Sequence, residues 1–263
     1  MDVFNGNLQL LSDYYRQAED GSIALFLGAG VNLPSGNVSV SYKTYTWPSL
    51  LKTLFAQNQG RLSRSFEELG RVHKNNWIAY ADYLYEQLSE EELIEQIDQL
   101  FYSSIPRQDT RYRRLSKRFW DQAPTLQAAV GFCSEIKPLE PEIISWRFKR
   151  SWKIGKVITT NYDFFFGAAW TRYEGFSKQW KVETPFSTSD LREGQAPIEY
   201  IHGYLPYIRE KDKKSETKGL VLSQQTYDEC YQEGKFTLEA LRDAVSNYSL
   251  IFVGLSLSDP PLI

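Results

Sequence analysis

Cysteine is nearly absent from this 263-residue chain, with Cys133 and Cys230 the only two and far apart. Thiols at that separation make no CxxC knuckle, no four-cysteine zinc framework and no disulfide scaffold, so both read as buried or incidental. An excess of either charge is lacking too. With 30 basic against 33 acidic residues the net charge is -3, which removes the electrostatic case for nucleic acid or an anionic membrane as partner. No segment reaches the ~20 apolar residues a bilayer-spanning helix needs. The opening M-D-V-F-N-G-N-L-Q-L-L-S-D-Y-Y-R has neither the basic start nor the long apolar stretch of a secretory leader. Together these absences give the expectation of a soluble, cytoplasmic protein in a reducing compartment. Low hydrophobicity is not among the absences, because 42% hydrophobic and 15% aromatic residues suffice for a large core.

Several signatures are missing as well. No G-K-[ST] follows the first glycines, so there is no P-loop, and no G-x-S-x-G marks a hydrolase elbow. The run I-A-L-F-L-G-A-G-V-N-L, residues 23–33, has a glycine pair after an apolar stretch, but Leu33 stands where a dinucleotide fingerprint needs its third small residue. No Asp or Glu lies between Val31 and Phe55 to hold an adenosine ribose, so an ordinary dehydrogenase is disfavoured.

What is present reads as alternating strands and helices. Residues 8–18 show helical spacing that ends at Gly21, and residues 22–27 are apolar without alternation, as in a strand covered on both faces. A helix opens at Trp47-Pro48, and residues from about 60 to 150 look mainly helical, with a capping-box pattern at Ser89 and helix starts near Pro124 and Pro141. Strand signals return at 156–160, 198–201, 219–222 and 249–255. Residues 175–196 and 209–218 are polar and read as loops. The fold expected is α/β, a doubly wound parallel sheet of Rossmann-like type, with 1–55 and 151–263 as its core and 56–150 as a helical insertion or layer. The chain stops as a strand turns toward a helix, which suggests a piece of a longer protein.

Chemistry gathers at the ends of these strands. V-I-T-T-N-Y-D, residues 157–163, delivers Thr160, Asn161 and Asp163 to a carboxyl edge, and Y-I-H-G places His202 at another. Ligands of open α/β sheets sit at such edges. Only one other histidine exists, His73 in a polar helix, so His202 is the natural acid or base. The bland readings are that Asn161 caps a helix, that His202 sits satisfied at a turn, and that Gly28 and Gly30 only turn the chain. The basic run at 107–119 reads as a solvated helix face before a nucleic-acid surface, and the aromatic run at 77–85 as core.

In order, G-A-G-V from Gly28, T-T-N-Y-D from Thr159, I-H-G from Ile201 and F-V-G-L-S-L-S-D-P from Phe252 resemble the sirtuin family. That resemblance implies a sirtuin-type Rossmann-like core, with Asn161 as the catalytic asparagine, Asp163 as the nicotinamide-recognising aspartate and His202 as the catalytic histidine. It places Gly28, Ala29, Gly30 and Val31 in the diphosphate loop, Thr160 beside the nucleotide, and Gly254 and Ser256 at a second nucleotide-contacting strand end. Sirtuin deacylases carry a four-cysteine zinc ribbon, which two cysteines cannot supply, so no metal is expected. The chain more closely resembles the zinc-free sirtuin-like domains of bacterial antiphage defence, which hydrolyse NAD+. Trp47-Pro48-Ser49-Leu50-Leu51 and L-V-L-S-Q-Q-T-Y from Leu220 resemble that branch as well, whereas Asn32 replaces its usual serine and 37–46 look inserted. The resemblance implies NAD+ as substrate, a homo-oligomer, a sensor or ATPase partner and a phage-derived trigger. Two alternatives stay open: an NAD-dependent deacylase or ADP-ribosyltransferase, and a non-catalytic module that binds NAD+ or ADP-ribose.

Overall fold

The structure, a computed structural model, describes residues 13–14, 17–19, 21–32, 45–102, 154–163, 165–166, 180–185, 196–205 and 219–255. Most of the helix expected at 8–18, both prolines expected to start helices, the basic run at 107–119, the loop at 209–218, Cys133 and Ser256 lie outside them.

The apolar stretch before the first glycines forms β1 (Ile23–Leu27), buried at every position. It pairs in parallel with β2 (Ile154–Thr159) on one side and with β5 (Ser249–Val253) on the other. Beyond β2 lie β4 (Ala196–Tyr200) and then β3 (Trp180–Glu183), both parallel, giving the order β3-β4-β2-β1-β5. The chain steps outward from β1 on one side and returns to its other side with β5. That reversal puts a topological switch between β1 and β5, the place where open α/β sheets bind ligands.

Among the described residues, four helices fall between β1 and β2: α1 (Trp47–Gln57), α2 (Phe66–His73), α3 (Trp77–Gln87) and α4 (Glu90–Tyr102). Pro48 sits in the first turn of α1, where its missing N–H costs nothing. Ser65 and Glu68 close a reciprocal capping box at the start of α2. Leu51, Leu54 and Phe55 of α1, Tyr80 and Leu84 of α3 and Ile97 and Phe101 of α4 share one core cluster with Leu25, Leu27, Val157 and Tyr200 of the sheet. The opposite sheet face presents Phe26 and Ile158, which pack on Ala240 and Ala244 of α6 (Phe236–Asn247). Odd and even positions of β1 thus serve two different layers, so the run shows no polar alternation.

A buried ion pair interrupts the second face. Lys156 on β2 pairs with Glu199 on β4 at 3.0 Å and with Asp243 on α6. Burial works against the ammonium, but the two carboxylates outweigh it and hold its pKa above the ordinary value.

Three sequence expectations change. Residues 219–222 form no strand, although 220–222 are buried: the Val221 amide donates to the His202 carbonyl at 2.9 Å and the Leu222 amide to the Thr226 hydroxyl at 3.0 Å. Their backbone groups are satisfied by a turn and by the cap of α5 (Gln224–Cys230), so the apolar pattern stays while the ladder does not form. Within the expected loop 175–196 the structure has the edge strand β3. At Ser89 only half of the capping box forms. The Ser89 hydroxyl accepts from the Glu92 amide, whereas the Glu92 carboxylate turns to Arg61 at 2.8 and 3.2 Å.

Candidate functional site

The carboxyl ends of β2, β1 and β5, with that of β4, lie side by side because all are parallel, and the ladder continues past them. Thr160 donates its amide to the Leu27 carbonyl at 3.2 Å, Ile201 to Thr159 at 3.0 Å and Gly28 to Val253 at 3.0 Å. Residues just beyond these bonds therefore emerge at one edge of the sheet.

The glycine loop sits at the switch between β1 and β5. A Cβ on Gly28 would stand 2.6 Å from the Gly254 carbonyl oxygen, and one on Gly30 2.7 Å from the same atom. Gly254 itself has φ +66°, and a Cβ there would meet the Val31 nitrogen at 2.1 Å. Three glycines are required because two backbones touch. The Gly28, Gly30 and Val31 amides are engaged within the protein, donating to Val253, Gly254 and Gly28 respectively. The loop thus offers an anion fewer amides than an open glycine turn. Ala29 opens the short 3-10 turn Ala29–Asn32 and is half-buried.

Asn161 and Asp163 are brought to this loop. Asn161, 7% exposed, donates its side-chain amide to the Gly28 carbonyl at 3.2 Å. Its backbone amide is held by the Thr159 hydroxyl at 3.0 Å, which in turn donates to the Leu27 carbonyl at 3.1 Å. Asp163, 5% exposed, receives the Asn32 side-chain amide at 3.0 Å on both oxygens and the Phe165 amide at 3.0 Å. The local capping role falls on Asp163, and Asn161 is a cross-strand clasp. Burial pushes the Asp163 carboxyl up to about 6, against the lowering effect of these donors. Thr160 is half-buried beside them.

His202 emerges one strand further along and turns toward α5. Its Nε2 lies 2.7 Å from the Tyr231 hydroxyl, and its ring meets Tyr227 edge-on at 5.2 Å. It is 2% exposed, and burial lowers its pKa to about 3, so the imidazole is neutral at physiological pH. The structure therefore links Asn161 and Asp163 to the first loop, and Gly254 to Gly28 and Gly30, while His202 is held by two tyrosines of another layer. Sequence reasoning missed Tyr231 and the contact of Asn32 with Asp163. Asn32 had a signal, an amide inside an otherwise small and apolar loop; Tyr231 had none, since only folding brings α5 to β4.

A doubly wound parallel sheet with polar side chains at its switch edge defines an open-sheet α/β protein, a class whose ligands bind at such edges. More particularly, residues 155–263 match the family model of the SIR2-like domain, and the chain carries a sirtuin-like domain of Rossmann-like α/β fold. That likeness supports an NAD-using enzyme. The match includes Asn161, Asp163, His202 and Gly254 and begins after the glycine loop, which joins the site only through tertiary contacts. No curated protein matches the chain significantly.

Proposed function

We propose that the protein is an NAD+ glycohydrolase that cleaves NAD+ to nicotinamide and ADP-ribose. The observation that carries this reading is the clasp of Asn161 on Gly28, with Asp163 on Asn32 beside it, at the switch of a SIR2-like sheet. The residues present fit the nicotinamide end of a dinucleotide: the three glycines let the β1 and β5 ends close backbone to backbone at the switch edge, and beside them stand a neutral amide, Asn161, and a carboxyl, Asp163, rather than a basic group.

In this reading Asp163 accepts a hydrogen bond from the nicotinamide carboxamide and offers negative potential where positive charge develops on the ribose. Asn161 has committed its amide N–H to Gly28, so its oxygen is the atom that positions a ribose hydroxyl or the attacking water. His202, neutral, takes a proton from that hydroxyl or water, a role typically giving about 10²–10⁴-fold. Gly28, Ala29, Gly30, Val31, Thr160, Gly254 and Ser256 are the proposed nucleotide-contacting positions, with 1–55 and 151–263 as core and 56–150 as an added helical layer. Nicotinamide release from NAD+ tests this. We expect Asn161→Ala and His202→Ala to lower it at least ~100-fold with folding intact; full activity in both variants would reject the reading.

By resemblance to zinc-free sirtuin-like defence domains, the cellular role proposed is NAD+ depletion during phage infection. It would act in the cytoplasm as a homo-oligomer working with a sensor or ATPase partner. Among the described residues no helix is long and apolar enough to cross a membrane. A second reading, a module that binds NAD+ or ADP-ribose without turnover, is favoured by one observation: the His202 ring is buried against Tyr227 and Tyr231. Binding without nicotinamide release by the assembled, triggered protein would select it.

A further inference from the structure

A histidine that moves a proton has to present the correct nitrogen, and packing alone does not choose it. A half-turn of an imidazole about its Cβ–Cγ bond exchanges each nitrogen for a carbon with almost no change of shape, and the neutral ring also has two tautomers. At His202 the ring lies edge-on to Tyr227 at 5.2 Å and to Tyr231 at 6.0 Å, and the two tyrosines stack on each other at 5.7 Å. Those faces fix the plane of the ring. The Tyr231 hydroxyl, 2.7 Å from Nε2, distinguishes its two edges, because a half-turn would put a C–H where that nitrogen stands.

The backbone beneath the ring is fixed as well. The Val221 amide donates to the His202 carbonyl at 2.9 Å and the Gly203 amide to the Tyr200 carbonyl at 3.0 Å. Gly203 has φ +93°, and a Cβ there would stand 2.6 Å from the Gly219 carbonyl oxygen. The Tyr162 hydroxyl donates to the Val221 carbonyl at 2.7 Å, which ties the strap on His202 to the segment that carries Asn161 and Asp163. A separate anchorage brings Tyr231 to the same place. Asp82 of α3 accepts the Gln224 amide at 2.7 Å, Ser223 and Thr226 close the cap of α5, and Ile78 packs in one cluster with Tyr227 and Cys230. Tyr231 follows the last turn of α5, its amide on the Tyr227 carbonyl at 2.9 Å. The imidazole and the phenol are thus placed by two independently held segments.

We propose that Tyr231 is the positioning residue of His202: its hydroxyl holds Nε2 and so fixes the ring edge and the tautomer with which the imidazole takes a proton. This inference rests on the NAD+ reading and adds to it a residue from α5. Which nitrogen of a histidine carries the proton is set by the hydrogen bond that the ring makes, and a base oriented by a third group is a recurrent arrangement. The imidazolium that forms is a donor at both nitrogens, so the phenol oxygen remains a partner for Nε2 after the proton has moved.

The test uses the 263-residue chain with nitrogen-15 in its histidines, of which there are only two, His73 and His202. At pH 7.5 the His202 ring is neutral, and its two nitrogens resonate far apart when one tautomer dominates and converge when both are populated. We expect one tautomer in the wild type and averaged signals in Tyr231→Phe, which deletes the hydroxyl and keeps the ring contacts. In nicotinamide release the same variant should lower kcat at least about tenfold with KM changed less than about twofold, as for a group that acts through the base and not in binding. Lost packing alone would leave the tautomer signals where they were. If Tyr231→Phe fails to fold, 3-fluorotyrosine in place of Tyr231 decides: it keeps the ring and the hydroxyl, makes the phenol a stronger donor, and should shift the Nε2 signal. A wild type already divided between tautomers, wild-type signals or wild-type kcat in folded Tyr231→Phe, or an unmoved Nε2 signal in the fluorinated chain overturns the inference and leaves the NAD+ reading standing. Failure of the wild type to release nicotinamide overturns that reading and, with it, the base to be positioned.

Discussion

At the scale of single residues, burial opposes charge in opposite directions at Asp163 and His202. Asp163 has a folded pKa of about 6 against an ordinary 3.8, so between those values the folded state holds more protons than the unfolded one, and stability falls as pH rises. His202, lowered from 6.5 to about 3, resists a proton the unfolded chain accepts, and its stability contribution is lost as pH falls below 6.5. The gap at Asp163 corresponds to about 3 kcal/mol of cost at neutral pH, stored beside the site the protein keeps. Asp163→Asn removes that charge and retains an acceptor for the Phe165 amide. Its gain in unfolding free energy over wild type should be larger at pH 8 than at pH 5 by about 1 kcal/mol, measured by urea denaturation. An equal gain at both values would show that the carboxyl titrates normally. The identity of Asp163 was legible in T-T-N-Y-D, but its pKa was not, because desolvation depends on what remote segments such as the first loop place against it.

Among elements, the contact between the β1 and β5 ends decides whether a site exists. The ends meet backbone to backbone, Gly30 donating to the Gly254 carbonyl at 2.8 Å, and Gly254 is in the left-handed region. Gly254→Ala combines a strained φ with a Cβ aimed at the Val31 nitrogen. The expected outcome is a loss of more than ~1 kcal/mol in urea unfolding together with loss of ADP-ribose binding. Wild-type values for both would mean that the loop and strand separate without consequence. Both glycine motifs could be read separately in the sequence, yet nothing in either names the other as its neighbour. The same limit explains residues 219–222: an apolar tetrapeptide has strand character, but a ladder needs a free edge, and the Val221 amide is taken by His202.

At the scale of the whole molecule, Lys156, Glu199 and Asp243 tie β2, β4 and α6 together beneath the sheet face opposite the main core. Lys156 and Glu199 are both buried. Lys156→Met would take away the ammonium that lies 3.0 Å from the buried Glu199 carboxylate, and removing one partner of a buried pair costs about 3–5 kcal/mol. The unfolding midpoint should fall accordingly, and adding Glu199→Gln should recover much of the loss, because removing both charges is far less damaging than removing one. Additive losses in the double variant would refute that coupling. Asp243 is held below its ordinary range: burial works against it, and Lys156 and Asn247 outweigh that. Its share of stability is therefore present above 3.8 and lost on acidification through a lower pH.

By itself the sequence determined the strand and helix periods, the central place of the unbroken apolar run in β1, and the residues that emerge at strand ends: Asn161, Asp163, His202 and the glycines. These depend on local steric and hydrophobic patterns that operate within a few residues. Tertiary structure alone decided the β3-β4-β2-β1-β5 order, the clasp of Asn161 on Gly28 across 133 positions, and the turn of His202 toward Tyr231. Each of those requires two remote segments to approach and exclude water, and whether a polar atom then finds a partner is fixed only once the layers have closed.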